Sequence, residues 1–136
     1  MPSGTQTAPV SKTMLWVGRV ISALMIMFML FDAGVKILKL PVAMEGTIRL
    51  GYPASVIQPM GIVALVSVLL YAIPRTSILG AILLTGYLGG ATATQVRVQD
   101  AWFIFPAVLG VLIWAGLYLR DERLRTLIPL NSQKEK

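Results

Sequence analysis

The sequence contains no cysteine and no histidine. Without cysteine the chain can form no disulfide, carries no thiol redox motif and has no thiol nucleophile. Zinc sites built from Cys and His, iron–sulfur clusters and haem ligated by Cys or His are excluded within the chain, as is a Ser-His-Asp triad. Charge is also scarce. Charged residues make up 13% of the chain, against roughly 25% in a soluble protein. Acids are the scarcer sign, six against twelve bases, for a net charge of +6. That excess does not point to nucleic acid, because the bases form no groove-binding patch and no stripe interleaved with aromatics. They stand at the ends of apolar runs, as topology signals of a membrane protein do.

What is present is mostly hydrocarbon. Hydrophobic residues are 56% of the 136 and the mean hydropathy is +0.75. The length allows one domain, and the composition reads as integral membrane. Residues 1–13 (MPSGTQTAPVSKT) are small and polar, and are expected to be a disordered tail; a membrane domain over 14–130 and a polar tail over 131–136 follow. Four apolar runs, at about 14–40, 53–73, 77–96 and 101–119, each approach the ~20 residues that a spanning helix needs. The expected fold class is therefore all-α, a four-transmembrane-helix bundle with a short interfacial helix between the first and second spans. The first run is too long in its apolar part for a cleaved signal peptide and is not followed by an A-x-A-like site, so it is read as a retained span.

The boundaries have mechanisms. Pro41 and Pro74 stop the first and second runs. Pro59 and Pro106 lie early in theirs, where a missing N–H is tolerated. Asp100 stands just ahead of the fourth span, well placed at a helix N-terminus. Pro41–Leu50 reads as the interfacial helix, with Gly51 as its C-terminal cap and Glu45 and Arg49 paired at i,i+4. The tail LYLRDERLRTLIPL has apolar residues at helical spacing and is read as turning along the headgroups. With four spans, both termini share a side with Arg75. That side holds Lys12, Arg19, Arg75, Arg120, Arg123, Arg125, Lys134 and Lys136, against Lys36, Lys39, Arg49 and Arg97 on the other. Positive-inside then puts both termini in the cytoplasm of a bacterial-type inner membrane.

The most charged stretch, Phe31–Pro53, falls on the outer side of that topology, opposite the Thr92–Asp100 segment of the third span. Asp32 and Lys36 are i,i+4 on one helix face. Ionisable groups that follow directly on an apolar run tend to face the bundle interior and to be functional. Asp32, Lys36, Glu45, Arg49, Gln95 and Arg97 are the candidate ligand-binding residues, lining an outer pocket. A quinone suits such a pocket: Arg or Lys would stabilise negative charge on the ring oxygen and Asp32 or Glu45 would relay protons. The competing reading makes these residues interface anchors and exposed ion pairs of little energetic weight. Gly86, Gly90 and Thr94, at i,i+4,i+8 on the third span, read as a small-residue helix-packing surface, with Gly18 and Ser22 of the first span as a facing patch. LLTGYLGG lacks the G-K-[ST] ending of a nucleotide loop. Metal ligation is not expected.

The strings FDAGVKILKLP, RLGYP, IPRTSILGAILLTGYLGGATATQVRV and WAGLYLRDERLRTLIPL resemble the DoxX-like family of small four-helix membrane proteins, over about residues 14–130. The resemblance implies a four-helix membrane bundle and a link to membrane redox systems, since the family's relatives include a subunit type of thiosulfate:quinone oxidoreductase. It implies an accessory or quinone-interacting subunit with redox partner subunits, in contact with membrane lipids; a homo-oligomer stays open. The different-class alternative is a non-catalytic scaffold or assembly factor that binds a partner protein or lipid. Similar sequences carry a His near the end of the third span, where this chain has Gln95. Glutamine hydrogen-bonds but does not titrate near neutral pH, so no proton relay is expected there and no self-sufficient enzyme.

Overall fold

The computed structural model describes residues 12–126. Among these there is no strand; the chain folds as α1 (Lys12–Ile37), α2 (Pro41–Arg49), α3 (Ile57–Ala72), α4 (Ser77–Arg97), α5 (Ile104–Arg120) and α6 (Glu122–Arg125). Short 3-10 turns over Ala54–Val56, Pro74–Thr76 and Ala101–Phe103 lead into α3, α4 and α5. Four segments are long and apolar enough to cross a membrane: Lys12–Ile37, Ala54–Ala72, Pro74–Arg97 and Ala101–Arg120. The expected fold class is the one observed. Lys12 and Thr13 belong to α1 rather than to a tail, and the remaining tail residues lie outside the described chain.

Local chemistry sets the boundaries. The first helix stops at Ile37, short of the expected residue 40, because Lys39 adopts a left-handed backbone (φ +58°) that no α-helix continues through. Pro41 then opens α2 from its first turn, and α2 closes with Gly51 at φ +100°, the conformation a glycine cap supplies. Asp100 caps the turn into α5 by accepting the Trp102 backbone N–H at 2.9 Å. The tight α3–α4 turn is stitched by Ser77 Oγ donating to the Tyr71 carbonyl and Thr76 Oγ1 to that of Leu70, both at 2.8 Å. After α5, Asp121 breaks the helix and its side chain caps α6, whose Leu124 folds back into the core. Leu127 and Ile128, expected to extend this amphipathic tail, lie outside the described residues.

The spans close a ring: α1 packs on α3 and α5, and α4 packs on the same two helices from the opposite corner. The core carries Met29, Ala33, Ala64, Val68, Tyr71, Leu84, Ile113 and Leu117. In lipid the association of spans rests on close packing rather than on exclusion of water, and glycine provides it at specific points. A Cβ on Gly61 would come 2.9 Å from the Ala33 carbonyl oxygen of α1; one on Gly116 would come 2.6 Å from Ser22 Oγ; one on Gly18 would come 2.9 Å from the Gly116 carbonyl oxygen. Gly80 presses on the backbone of Tyr71 and Leu70. Gly18 and Ser22 thus form a small patch, but it faces α5 rather than α4.

The expected packing surface on Gly86 and Gly90 is corrected by the structure. A Cβ at either position meets nothing within 4 Å. Helices α3 and α4 are pressed together at Gly80, near their connecting turn, and the space beside Gly86 and Gly90, farther along α4, is empty.

Two polar links cross the ring between helices that are otherwise not in contact. Near one end, Tyr71 of α3 donates to the Ile113 carbonyl of α5 at 2.7 Å and lies 3.3 Å from Ser22 Oγ. Arg120 completes this link, its Nε donating to Ser22 Oγ at 2.8 Å while its guanidinium stands 5.4 Å from the Tyr71 ring centre. Near the other end the link runs from α1 to α4.

Candidate binding cavity

That second link is built on Asp32 and Lys36. Four residues apart on α1, they share a face, and Lys36 Nζ donates to Asp32 Oδ2 at 3.0 Å. Tyr87 of α4 closes the triangle. Lys36 Nζ donates to its hydroxyl at 2.5 Å, and the hydroxyl donates to Asp32 Oδ2 at 3.1 Å. The ammonium also stands 5.1 Å from the Tyr87 ring centre, in reach of its negative face. The side chains of Lys36 and Asp32 keep only 16% and 27% of their exposure, so the charges offset one another in a partly desolvated setting.

The triangle lies against a cavity of about 650 Å³. Its walls are Phe31, Asp32, Val35 and Lys36 of α1; Val42, Ala43, Gly46, Thr47 and Arg49 of α2; Pro59, Met60 and Val63 of α3; and Gly86, Tyr87, Gly90, Ala91 and Thr94 of α4. The volume fits a ligand of small-molecule size, and a mainly apolar lining with a few convergent polar groups is the ordinary make-up of such a site. On α4 the lining follows one helical stripe, 87, 90/91, 94, and glycine at 86 and 90 leaves the space open. Thr94, assigned from the sequence to helix packing, is part of this wall: its Oγ1 lies 2.8 Å from the Tyr52 hydroxyl and 2.8 Å from the Gly90 carbonyl, to which it donates.

The sequence-derived candidates divide into two groups. Asp32, Lys36 and Arg49 line the cavity. Glu45, Gln95 and Arg97 are not among its lining residues. Glu45 is exposed, because α2 turns the 43, 46/47, 50 face inward and residue 45 falls off it. The expected Glu45–Arg49 pair is replaced by Arg49 Nη1 with Asp100 Oδ2 at 3.5 Å. Gln95 Nε2 reaches the same carboxylate oxygen at 3.5 Å, and Arg97 Nη2 donates to the Leu50 carbonyl at 3.3 Å. These contacts fasten the end of α2, and the turn after it, to the end of α4. The Asp100 carboxyl is held below the usual carboxylate range by the Trp102 backbone N–H first, then by the Gln95 amide and the Arg49 guanidinium.

Tyr87 and Tyr52 are site residues that the sequence reading does not single out. A usable signal was present: Tyr87 is the only large residue inside the small stretch Gly86–Thr94 that lies at i,i+3/4,i+7 with Gly90, Ala91 and Thr94. Among the described residues no cluster of His, Cys, Asp and Glu could hold a metal ion.

Four spanning helices with a partly polar cavity near one end of the bundle define a small polytopic membrane protein. A family model described as the DoxX-like family matches residues 20–116. The chain belongs to that family. No curated protein and no solved structure matches it.

Proposed function

We propose that the chain is a quinone-binding accessory subunit of a membrane redox system, lying in a bacterial-type inner membrane with both termini in the cytoplasm and the cavity in the outer half. The observation that carries this reading is the Asp32–Lys36–Tyr87 triangle at the wall of an otherwise apolar cavity. Its hydrogen-bonding capacity is not exhausted. An ammonium has three N–H groups, and Lys36 commits two, to Asp32 and Tyr87. A carboxylate has two oxygens, and both bonds to Asp32 fall on Oδ2. One N–H donor and one carboxylate oxygen, Oδ1, are left for a ligand, a set that suits a ring carrying a carbonyl in one redox state and a hydroxyl in the other.

In this reading the third Lys36 N–H donates to the ring carbonyl and its charge stabilises negative charge gathering on that oxygen. Asp32 Oδ1 accepts the hydroxyl proton of the reduced ring. Electrons are exchanged with a partner subunit, since the chain has neither cysteine nor histidine to hold a redox centre. Gln95 serves here only as a neutral brace on Asp100.

The test is purification of the chain expressed alone, with mass analysis of co-purified molecules and titration with a decyl-tailed benzoquinone. Quinone should be retained or bound, and Lys36→Met and Asp32→Asn should each weaken binding by about tenfold, the worth of one charge-assisted hydrogen bond. Absence of binding by the intact protein would remove this reading and leave the scaffold alternative.

A further inference from the structure

We infer that the cavity is filled sideways from the hydrocarbon phase beneath α2, which acts as a fixed cover, so that the occupant is a neutral molecule with an apolar tail. This rests on the cavity being a binding site, as proposed above, and does not require the ring to be a quinone.

The headgroup end of the cavity is sealed by polar contacts. Arg49 holds Asp100 at 3.5 Å, Arg97 holds the Leu50 carbonyl at 3.3 Å, and the Tyr52 hydroxyl meets Thr94 Oγ1 at 2.8 Å. On the other flank Gln58 Nε2 donates to the Ile37 carbonyl at 2.9 Å, tying the start of α3 to the end of α1. The end of α2 is thus anchored to the end of α4, its start is held to α1 by the short connection in which the Leu40 N–H donates to the Val35 carbonyl at 3.0 Å, and a solute entering from water would have to break several of these contacts together.

The flank toward the lipid has no such seal. Phe31 and Val63, both in the lining, are 67% and 54% exposed, and Gly86 and Gly90 leave their side of the wall without side chains. At 1.5 Å per residue these positions lie roughly 9 to 17 Å along the spans from the ends that flank α2, well inside a hydrocarbon layer of about 30 Å. The opening is thus in the lipid, and an apolar chain leaving through it stays among acyl chains with no desolvation cost. Charge pairing fixes the occupant's charge. Lys36 is matched by Asp32 in the partly desolvated wall, so a charged ligand would leave one partner of that pair unpaired there, and Arg49, largely exposed, is already matched by Asp100.

The absence of native cysteine allows a direct test in vesicles. Ala91, in the cavity wall, is replaced by cysteine and labelled with a small bimane fluorophore. Strong quenching by lipids bearing a doxyl group on the acyl chain, with little quenching by aqueous iodide, is the expected result. Iodide quenching equal to or greater than doxyl quenching overturns the inference. Separately, Ile48→Cys/Arg97→Cys, at two positions outside the cavity lining, is bridged with a short bis-maleimide to lock the cover. The locked protein should bind a decyl-tailed benzoquinone within about twofold of the unlocked one, and should bind the same ring without its tail at least about tenfold more weakly, given ~0.8 kcal/mol for each methylene in hydrocarbon. Loss of binding on locking also overturns the inference. The expected quenching pattern with no quinone binding by the unlocked protein upholds lateral entry and removes the quinone reading instead.

Discussion

Among single-methyl additions, Gly80→Ala is expected to do the most damage, and Gly90→Ala to do none. At Gly80 the new Cβ would lie 2.5 Å from Tyr71 Cα and 2.7 Å from the Leu70 carbonyl carbon. Carbon atoms in contact settle at about 3.5–4.0 Å, so α3 and α4 would have to part by roughly 1 Å. The atoms in the way are backbone, and the Ser77 and Thr76 hydroxyls bind that backbone at 2.8 Å, so the neighbour cannot swing aside. Overpacking of this kind costs about 1–3 kcal/mol. The upper end applies here, because Tyr71 also holds the link to Ile113 across the bundle. Alanine regains roughly 1 kcal/mol of helix propensity, leaving a net loss of about 2 kcal/mol. At Gly90 there is no neighbour within 4 Å, so only the propensity gain operates and the variants should differ by about 3 kcal/mol.

The assay is reversible unfolding in mixed micelles, titrated with a denaturing detergent and followed by helical circular dichroism. Equal stability of the two variants within about 0.5 kcal/mol, the ordinary scatter of harmless surface changes, would refute the assignment of tight packing to Gly80 and of open space to Gly90. A Gly90→Ala variant less stable than Gly80→Ala would reverse it, restoring the packing role that the glycine spacing alone suggests.

Lys36→Met should cost about 1–2 kcal/mol in the same titration, less than the ~3–5 of a fully buried pair because both partners keep some exposure, and Asp32→Leu/Lys36→Met should recover most of it. Tyr71→Phe removes the hydroxyl bond to the Ile113 carbonyl and leaves Ser22 with Arg120 alone, and should cost about 1–3 kcal/mol, with no effect on ligand binding at the other end of the bundle. The Asp100 carboxyl titrates below its unfolded value, so its contribution is complete above the usual carboxylate range and disappears as pH falls through the lowered folded pKa. The contact between α2 and α4, read by the distance between spin labels on exposed faces of the two helices, should therefore be unchanged from pH 8 to about pH 5 and loosen only in stronger acid. A reporter fused after Lys136 should be active only as a cytoplasmic fusion.

How much of this was legible in the sequence follows from the range of the signals. Span number and order came from apolar run length, a local property, and the ends came from Pro41, Pro74, Gly51 and Asp100, whose chemistry acts within a few residues. The Asp32–Lys36 pair was legible because i,i+4 is fixed by helix geometry. Contacts between elements were not. Glu45 and Arg49 satisfy the same spacing rule on α2, yet Arg49 finds Asp100, fifty-one residues away in the chain, because the end of α2 is set down beside the end of α4. Glycine spacing likewise marks a close approach or an empty wall with the same letters. Gly80 meets the backbone of Tyr71, while Gly90, turned about 80° from it around the helix, meets nothing within 4 Å, and which of the two a glycine finds depends on where the other helices stand.

The two cross-bundle links use similar parts to opposite ends. At the Tyr71 link the hydroxyl donates to a backbone carbonyl, a serine stands beside it, and an arginine covers the ring. It sits where Gly18, Gly80 and Gly116 bring backbones together, and Tyr71 is fully buried. Nothing more than rigidity is gained from it. At the Tyr87 link a lysine and a carboxylate, costly groups to place in a span, replace the serine and the carbonyl. The glycines beside them hold space open instead of closing it, and one donor and one acceptor are left uncommitted. If this second link served only to brace the bundle, a hydroxyl-to-carbonyl bond like that of Tyr71 would do so without placing a carboxylate–ammonium pair in a span. On the proposed reading a ligand completes the charged version, and the open side of the cavity is the route by which it enters.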